Sequence, residues 1–204
     1  MPSDRFDLVC AADSIWSVSR AVCPKEGNVM GLFDKFKKAA KPAKPAAITV
    51  EAAPTAVYAP VPGTGVAMAD LPDPVFASGA MGKAYGIVPT EGVVYAPVAG
   101  TITATTQTLH ALGLASDDGI EVLIHVGVDT VNMKGDGFTG FVKQGDHVAA
   151  GEPLMTFDIA KIKKAGYATD VITVITNTDE FKSVEPAAPA EVAAGAKIFD
   201  VVPA

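Results

Sequence analysis

The chain has 204 residues, of which 49% are hydrophobic and 19% charged, and its formal net charge is −7. This composition supports one core of ordinary size with a tail, excludes a wholly disordered chain, and argues against a nucleic-acid binder, which needs basic surface to displace counterions from phosphates. The apolar runs fall far short of the roughly 18–20 residues of a membrane-spanning helix, and the only cysteines, Cys10 and Cys23, exclude thiol catalysis and cysteine-ligated zinc beyond residue 23.

Residues 1–29 show no sustained helical or strand period, which predicts a poorly ordered N-terminal extension. They carry Asp4, Asp7 and Asp13 and lack a continuous apolar stretch, so they do not read as a signal peptide, and the chain reads as cytoplasmic. Met30 reads as a second candidate start. Over 30–41, Leu32, Phe33, Phe36 and Ala40 fall on one helical face, with Lys35, Lys37, Lys38 and Lys41 around it. This short basic amphipathic helix fits a peripheral contact with the inner face of an anionic membrane, and fits a frayed solvated tail equally well. The Met-Gly-x-x-x-Ser/Thr acylation pattern fails at Lys35. Residues 42–73, rich in alanine and proline, read as a semi-extended linker.

From residue 74 to 204, short Val/Ile/Leu/Thr runs alternate with Gly, Pro, Asn and Asp. Candidate strands are 75–78, 84–88, 92–96, 99–106, 120–128, 140–142, 147–149, 153–158, 170–175 and 197–202. They predict an all-β domain, an antiparallel β-sandwich or barrel of short strands. One short helix is expected from Ile159 to Gly166.

Histidine is the natural place to look for chemistry, and there are three: His110, His125 and His147. Strand alternation puts Glu121, Leu123, His125, Gly127 and Asp129 on one face. The glycine leaves room beside the imidazole for another molecule, and Asp129 gives it an acidic neighbour. The competing reading is a core histidine bonded to a carbonyl. The same alternation aims Thr106, Thr108 and His110 one way, so Thr108 could orient the His110 ring. The turn Ala115–Gly119 would make the two histidine strands neighbours. His147 follows Gly145-Asp146 and reads as a surface residue without a role.

The stretch Leu123-Ile-His-Val-Gly-Val-Asp-Thr-Val-Asn-Met-Lys-Gly-Asp-Gly-Phe138 resembles the phosphorylation-site signature of the glucose-type enzyme IIA, a component of the bacterial phosphoenolpyruvate-dependent sugar phosphotransferase system. Val94-Tyr-Ala-Pro-Val-Ala-Gly-Thr-Ile102, Thr108-Leu-His-Ala-Leu-Gly113 and Ile172-Thr-Val-Ile-Thr-Asn177 resemble other blocks of that family in the same order. Met30-Gly-Leu-Phe-Asp-Lys35 resembles the start of stand-alone members, whose N-terminal helix is associated with membranes. The resemblance implies an antiparallel β-sandwich and a phosphotransferase that carries phosphohistidine. His125 would accept a phosphoryl group from phospho-HPr and pass it to a cysteine of a sugar-specific IIB domain. His110 would hold the phosphate, Thr108 would orient His110, and Asp129 matches an acidic position near the site. No cofactor or metal is implied. Leu112, Val126 and Phe138 would form a docking surface or core packing. Lys83 stands where many glucose-type members carry an acidic residue and where β-glucoside-type members often carry lysine, which leaves the sugar open. The chain has no IIB cysteine, so separate IIB and IIC partners are expected.

Three other readings compete. Gly145-Asp-His-Val-Ala-Ala-Gly-Glu-Pro-Leu154 resembles a hairpin of lipoyl or biotinyl carrier domains, with Lys134 as the attachment site. A zinc hydrolase would use His110 and His125 with a third ligand from elsewhere. A regulatory binding module would use the same face without chemistry.

Overall fold

The computed structural model describes residues 43–204. The extension expected over 1–29 and the helix expected over 30–41 lie outside the described residues. From residue 43 the chain has no regular structure at first, yet it is tied down. Lys44 pairs with Glu152 at 2.7 Å, the Ile48 N–H donates to the Gly151 carbonyl at 3.0 Å, and the Tyr58 hydroxyl donates to the Glu51 carbonyl at 3.0 Å.

Two strands follow, Ala56–Tyr58 (β1) and Gly63–Val66 (β2). They correct the linker reading of 42–73, because the sheet-forming region begins near residue 56 and not at residue 74. Between the prolines stand Val57, Tyr58, Ala59 and Val61, all buried. The prolines themselves sit between strands, where no ladder N–H is needed. Their carbonyls are still used: Pro60 accepts from the Tyr95 N–H at 2.8 Å and Pro62 from the Thr90 N–H at 3.0 Å.

A second correction concerns 75–78, read as a strand. Pro74–Ala77 is a short helix (α1), started by the Asp73 side chain accepting from the Val75 N–H at 2.8 Å, with proline at the first turn. A four-residue apolar run has no period of its own, and the cap decides its conformation. The described residues therefore hold two short helices, not one.

The strands Lys83–Pro89 (β3), Val93–Tyr95 (β4), Gly100–Thr105 (β5), Ala111–Ser116 (β6), Glu121–Val126 (β7), Phe138–Gly140 (β8), His147–Val148 (β9) and Pro153–Phe157 (β10) come next. The helix expected at 159–166 is Ile159–Lys164 (α2), capped by Asp158 accepting from the Lys161 N–H at 3.0 Å. Val171–Ile175 (β11), Phe181–Pro186 (β12), Glu191–Val192 (β13) and Lys197–Pro203 (β14) complete the chain.

All strand pairings among the described residues are antiparallel. They form one large sheet in the order β13-β2-β3-β11-β7-β6-β5-β9 and two three-stranded sheets, β1-β14-β12 and β4-β10-β8. The main core lies between the sheets: Tyr85, Ile124 and Ile175 from the large one, Ile198 and Phe199 from the second, Leu154 and Met155 from the third. This is the sandwich that the short, punctuated strands predict. On the other face of the large sheet, α1 covers a smaller cluster of Leu71, Phe76, Ala84, Ile172 and Val174. The central strand β11 is thus buried on both faces.

One core position is out of keeping with its neighbours. Thr173 of β11, opposite Ile124 and Tyr85, is wholly buried and its hydroxyl has no hydrogen-bond partner. Thr173→Val keeps the shape and removes the orphaned group. It is expected to stabilise the domain by about 1 kcal/mol, or roughly 2–4 °C in Tm. A lower Tm in thermal unfolding would show that the hydroxyl is satisfied after all.

Candidate active site

β7 lies between β6 and β11, and its burial alternates strictly from Glu121 to Val126. His125 therefore faces away from the main core, paired with Ala111 on one side and Ile172 on the other. That pairing brings His110, the residue before Ala111, beside it. The His110 and His125 ring centroids are 5.2 Å apart, with the planes at 86°. The backbone fixes the approach, because the Val126 N–H donates to the His110 carbonyl at 2.8 Å. The two histidines face each other as the turn between their strands predicts.

The reason for the His110 geometry differs from the one read in the sequence. Residues 106–110 are not a strand continuing β5. They form a tight turn in which the Leu109 N–H donates to the Thr106 carbonyl at 3.0 Å and Leu109 takes a φ of +58°. This turn folds Thr108 onto the ring, with Thr108 Oγ1 2.6 Å from His110 Nδ1. Thr106 Oγ1 is also near, at 3.3 Å. Its proton is engaged by the Ala111 carbonyl at 3.2 Å, so Thr108 is the hydroxyl free to donate to Nδ1.

Asp129 also departs from the alternation argument. β7 ends at Val126, Gly127 turns the chain at φ +72°, and Asp129 sits exposed at φ +59° before a 3-10 turn over Thr130–Met133. It shares no strand face with His125, but its charge still reaches the ring. The glycine has a different purpose from the open space expected beside the imidazole. A Cβ on Gly127 would collide with the Thr130 side chain and the Ala168 carbonyl, so this position needs both the left-handed backbone and the absence of a side chain.

Two neighbours of His125 escaped the sequence reading, both supplied by α1. The Phe76 ring stands 5.3 Å from the His125 ring at 54°, and Asp73 at the helix cap adds a second negative charge. The Asp73-Pro74 start signal was present in the sequence, but nothing local tells that this helix lies over β7. His147 is exposed, as expected, and pairs with Asp117 at 3.0 Å.

Burial pushes the His125 imidazole below the usual histidine pKa, and His110 alongside pushes it further. The Gly127 backbone, Asp73 and Asp129 oppose that shift. Nδ1 of His125 is buried without a hydrogen-bond partner among the described residues. Burial alone lowers His110. Both shifts favour the neutral ring, the form with a free lone pair.

Of the two readings of Leu112, Val126 and Phe138, the structure selects core packing over a docking surface. Leu112, Val126 and Phe138 are 2%, 0% and 8% exposed. The apolar side chains that do reach the surface nearby are Val75 of α1, 53% exposed, and Val131 of the 3-10 turn, 47% exposed. Each shares its segment with one of the two acids, Asp73 and Asp129.

A half-buried pair of imidazoles thus lies on the outer face of the large sheet, with Asp73, Asp129, Val75 and Val131 on neighbouring segments. Residues 55–181 match the family described as phosphoenolpyruvate-dependent sugar phosphotransferase system, EIIA 1. The chain is 45% identical over 139 residues to the glucose-specific EIIA component of the phosphotransferase system of Halalkalibacterium halodurans, covering 68% of this chain and 80% of that protein. It is 47% identical over 127 residues to the β-glucoside-specific EIIBCA component of Bacillus subtilis, covering 61% of this chain but only 20% of that longer protein. Among solved structures, glucose permease IIA from Mycoplasma capricolum superposes with a TM-score of 0.64 at 33% identity, over 71% of this chain and 93% of that one.

The chain belongs to the EIIA 1 family of the phosphoenolpyruvate-dependent sugar phosphotransferase system, and is a phosphocarrier component of it. This displaces the cofactor-carrier reading, and Lys134 supports the change: it closes the 3-10 turn between β7 and β8, which belong to different sheets, so it does not sit at a hairpin tip. No group of three metal-binding side chains stands together among the described residues to serve the zinc-hydrolase reading.

Proposed function

We propose that His125 accepts a phosphoryl group from phospho-HPr and passes it to a cysteine of a IIB domain, with His110 holding the group in between. The observation that carries this is the edge-to-face pair of rings, with His125 Nδ1 buried and unpaired and His110 Nδ1 held by Thr108. Nε2 of each ring is then left for the work.

His125 Nε2 attacks phosphorus with its lone pair as the bond to the donor breaks. Both donor and acceptor are proteins, so positioning and charge stabilisation matter more than elaborate covalent chemistry. With the Thr108 hydroxyl donating to His110 Nδ1, that ring carries its proton on Nε2, an assignment made from the hydrogen-bond network. The N–H donates to the phosphoryl oxygens without need of a metal. Val75 and Val131 offer apolar contact to a partner, and Asp73 and Asp129 favour a basic rim on it.

Intact-protein mass after incubation with phosphoenolpyruvate, enzyme I and HPr tests the reading. One acid-labile phosphoryl group is expected. No gain beside an active HPr control would sink it.

The lowered His125 pKa also gives a pH dependence. The unfolded ring takes up a proton near pH 6.5, while the folded ring resists until lower pH. Below about pH 6.5 the unfolded state therefore binds more protons, and stability falls as pH falls towards the folded pKa. Over the same interval the native ring stays neutral, so phosphoryl uptake should persist below pH 6.5. An NMR titration of the His125 C2 proton with a midpoint at or above 6.5 would refute this.

No helix among the described residues is long and apolar enough to cross a membrane. A cytoplasmic protein fits the carrier role, and residues 30–41 supply its peripheral anchor. Sedimentation with anionic vesicles, with and without residues 1–41, tests the anchor.

A further inference from the structure

We infer that Leu109 is a positioning residue for phosphoryl transfer, holding His110 in register through a seat provided by Gly140. The inference rests on the role proposed for His110. Leu109 adopts a left-handed backbone at φ +58°, a costly conformation for a branched side chain, and it does so between Thr108 and His110. In extended backbone a residue and its second neighbour stand side by side along a strand. The reversal at Leu109 brings Thr108 Oγ1 to 2.6 Å from His110 Nδ1.

Something must hold a leucine there, and the structure provides it. The Leu109 side chain packs against the main core. It also lies over Gly140 of β8: a Cβ on that glycine would stand 3.0 Å from Leu109 Cδ2 and 3.3 Å from Cδ1, tighter than ordinary contact. On the far side, the Val126 N–H holds the His110 carbonyl at 2.8 Å. The His110 ring is thus set from two directions, by β7 through the backbone and by β8 through Leu109. Neither Leu109 nor Gly140 touches the reacting atoms. They act through the Thr108–His110 bond.

Leu109→Ala keeps the strained backbone and removes its anchor. Gly140→Ala keeps the leucine and crowds its Cδ atoms, which must give by a few tenths of an ångström. Both are expected to weaken the Thr108–His110 bond, seen as a change in the His110 ring 15N shifts and tautomer balance. Leu109→Ala should slow phosphoryl transfer to the IIB cysteine on the order of tenfold or more, and Gly140→Ala by less, while uptake from HPr stays within about twofold in both. Leu109→Gly, which relieves the strain without restoring the anchor, should fall between Leu109→Ala and the parent. Unchanged His110 ring signals in Leu109→Ala and Gly140→Ala, with only Tm lowered, would reduce Leu109 to a core residue and overturn the inference. Shifted ring signals in a protein that takes up no phosphoryl group would uphold the positioning and overturn the function proposed for His125.

Discussion

His125→Ala is expected to take up no phosphoryl group from phospho-HPr, at the level of a reaction without the protein. Nothing in the described structure can replace its nitrogen. His110 is the other imidazole at the site, and with Thr108 donating to its Nδ1 its proton sits on Nε2, which leaves no free lone pair to attack phosphorus. His147 is on an exposed edge strand, paired with Asp117. The variant should fold. His125 is half-buried, and the cluster beneath it, Phe76, Ile172 and Val174, is complete without the imidazole. Losing the contact with Phe76 should cost about 1 kcal/mol. The variant should also lose part of the fall in stability below pH 6.5, because the ring that resists protonation is gone. Phosphoryl uptake at the parental rate, measured by intact mass, would mean that another residue is the acceptor.

His110→Gln is expected to separate the two steps. The acceptor nitrogen on His125 survives, and the glutamine amide can still donate to a phosphoryl oxygen, so uptake from HPr should stay within a few-fold. The onward step should slow on the order of 10²-fold, the usual scale for one misplaced charge-stabilising donor. The difference has a chemical cause. A cysteine acceptor must shed its thiol proton to become a nucleophile, and an imidazole can give up its Nε2 proton to a phosphoryl oxygen while Nδ1 takes one up through the Thr108 hydroxyl, a relay that an amide cannot run. Thr108→Val should reproduce part of the defect, since it leaves the His110 ring but frees its Nδ1. Rapid-quench measurement of both half-reactions decides the matter. Equal loss of the two steps would refute this division of labour.

Much of this protein is legible along the chain. The alternation from Glu121 to Val126 placed His125 on the face away from the core, because a strand's side-chain period is set by its own backbone. α2 was legible because its cap, Asp158, and its helix-forming residues are consecutive. The strands β6, β12 and β13 were missing from the candidates for the opposite reason. Ala-Leu-Gly-Leu-Ala-Ser and Phe-Lys-Ser-Val-Glu-Pro have little intrinsic strand preference, and their partners hold them in place: β5 and β7 for β6, and β14 for β12. β1 and β2 were hidden by prolines, which look like linker until their carbonyls are seen bonded to β4 and the turn that precedes it.

The same division runs through the site. Sequence by itself determined which residues could carry the chemistry. Histidine is a side chain that is largely neutral and nucleophilic near pH 7, and its spacing around the turn at 115–119 already implied that the two rings meet. Tertiary structure alone decided what surrounds them. Phe76 and Asp73 reach His125 because α1 folds across the large sheet, and Asp129 acts on it through space and not along a strand. Leu112, Val126 and Phe138 proved to be core because a second and third sheet cover that face. The physical reason is range: backbone period and capping act over a few residues and are written in order. Burial and charge depend on which distant segments come to lie alongside, and only the packed chain sets that.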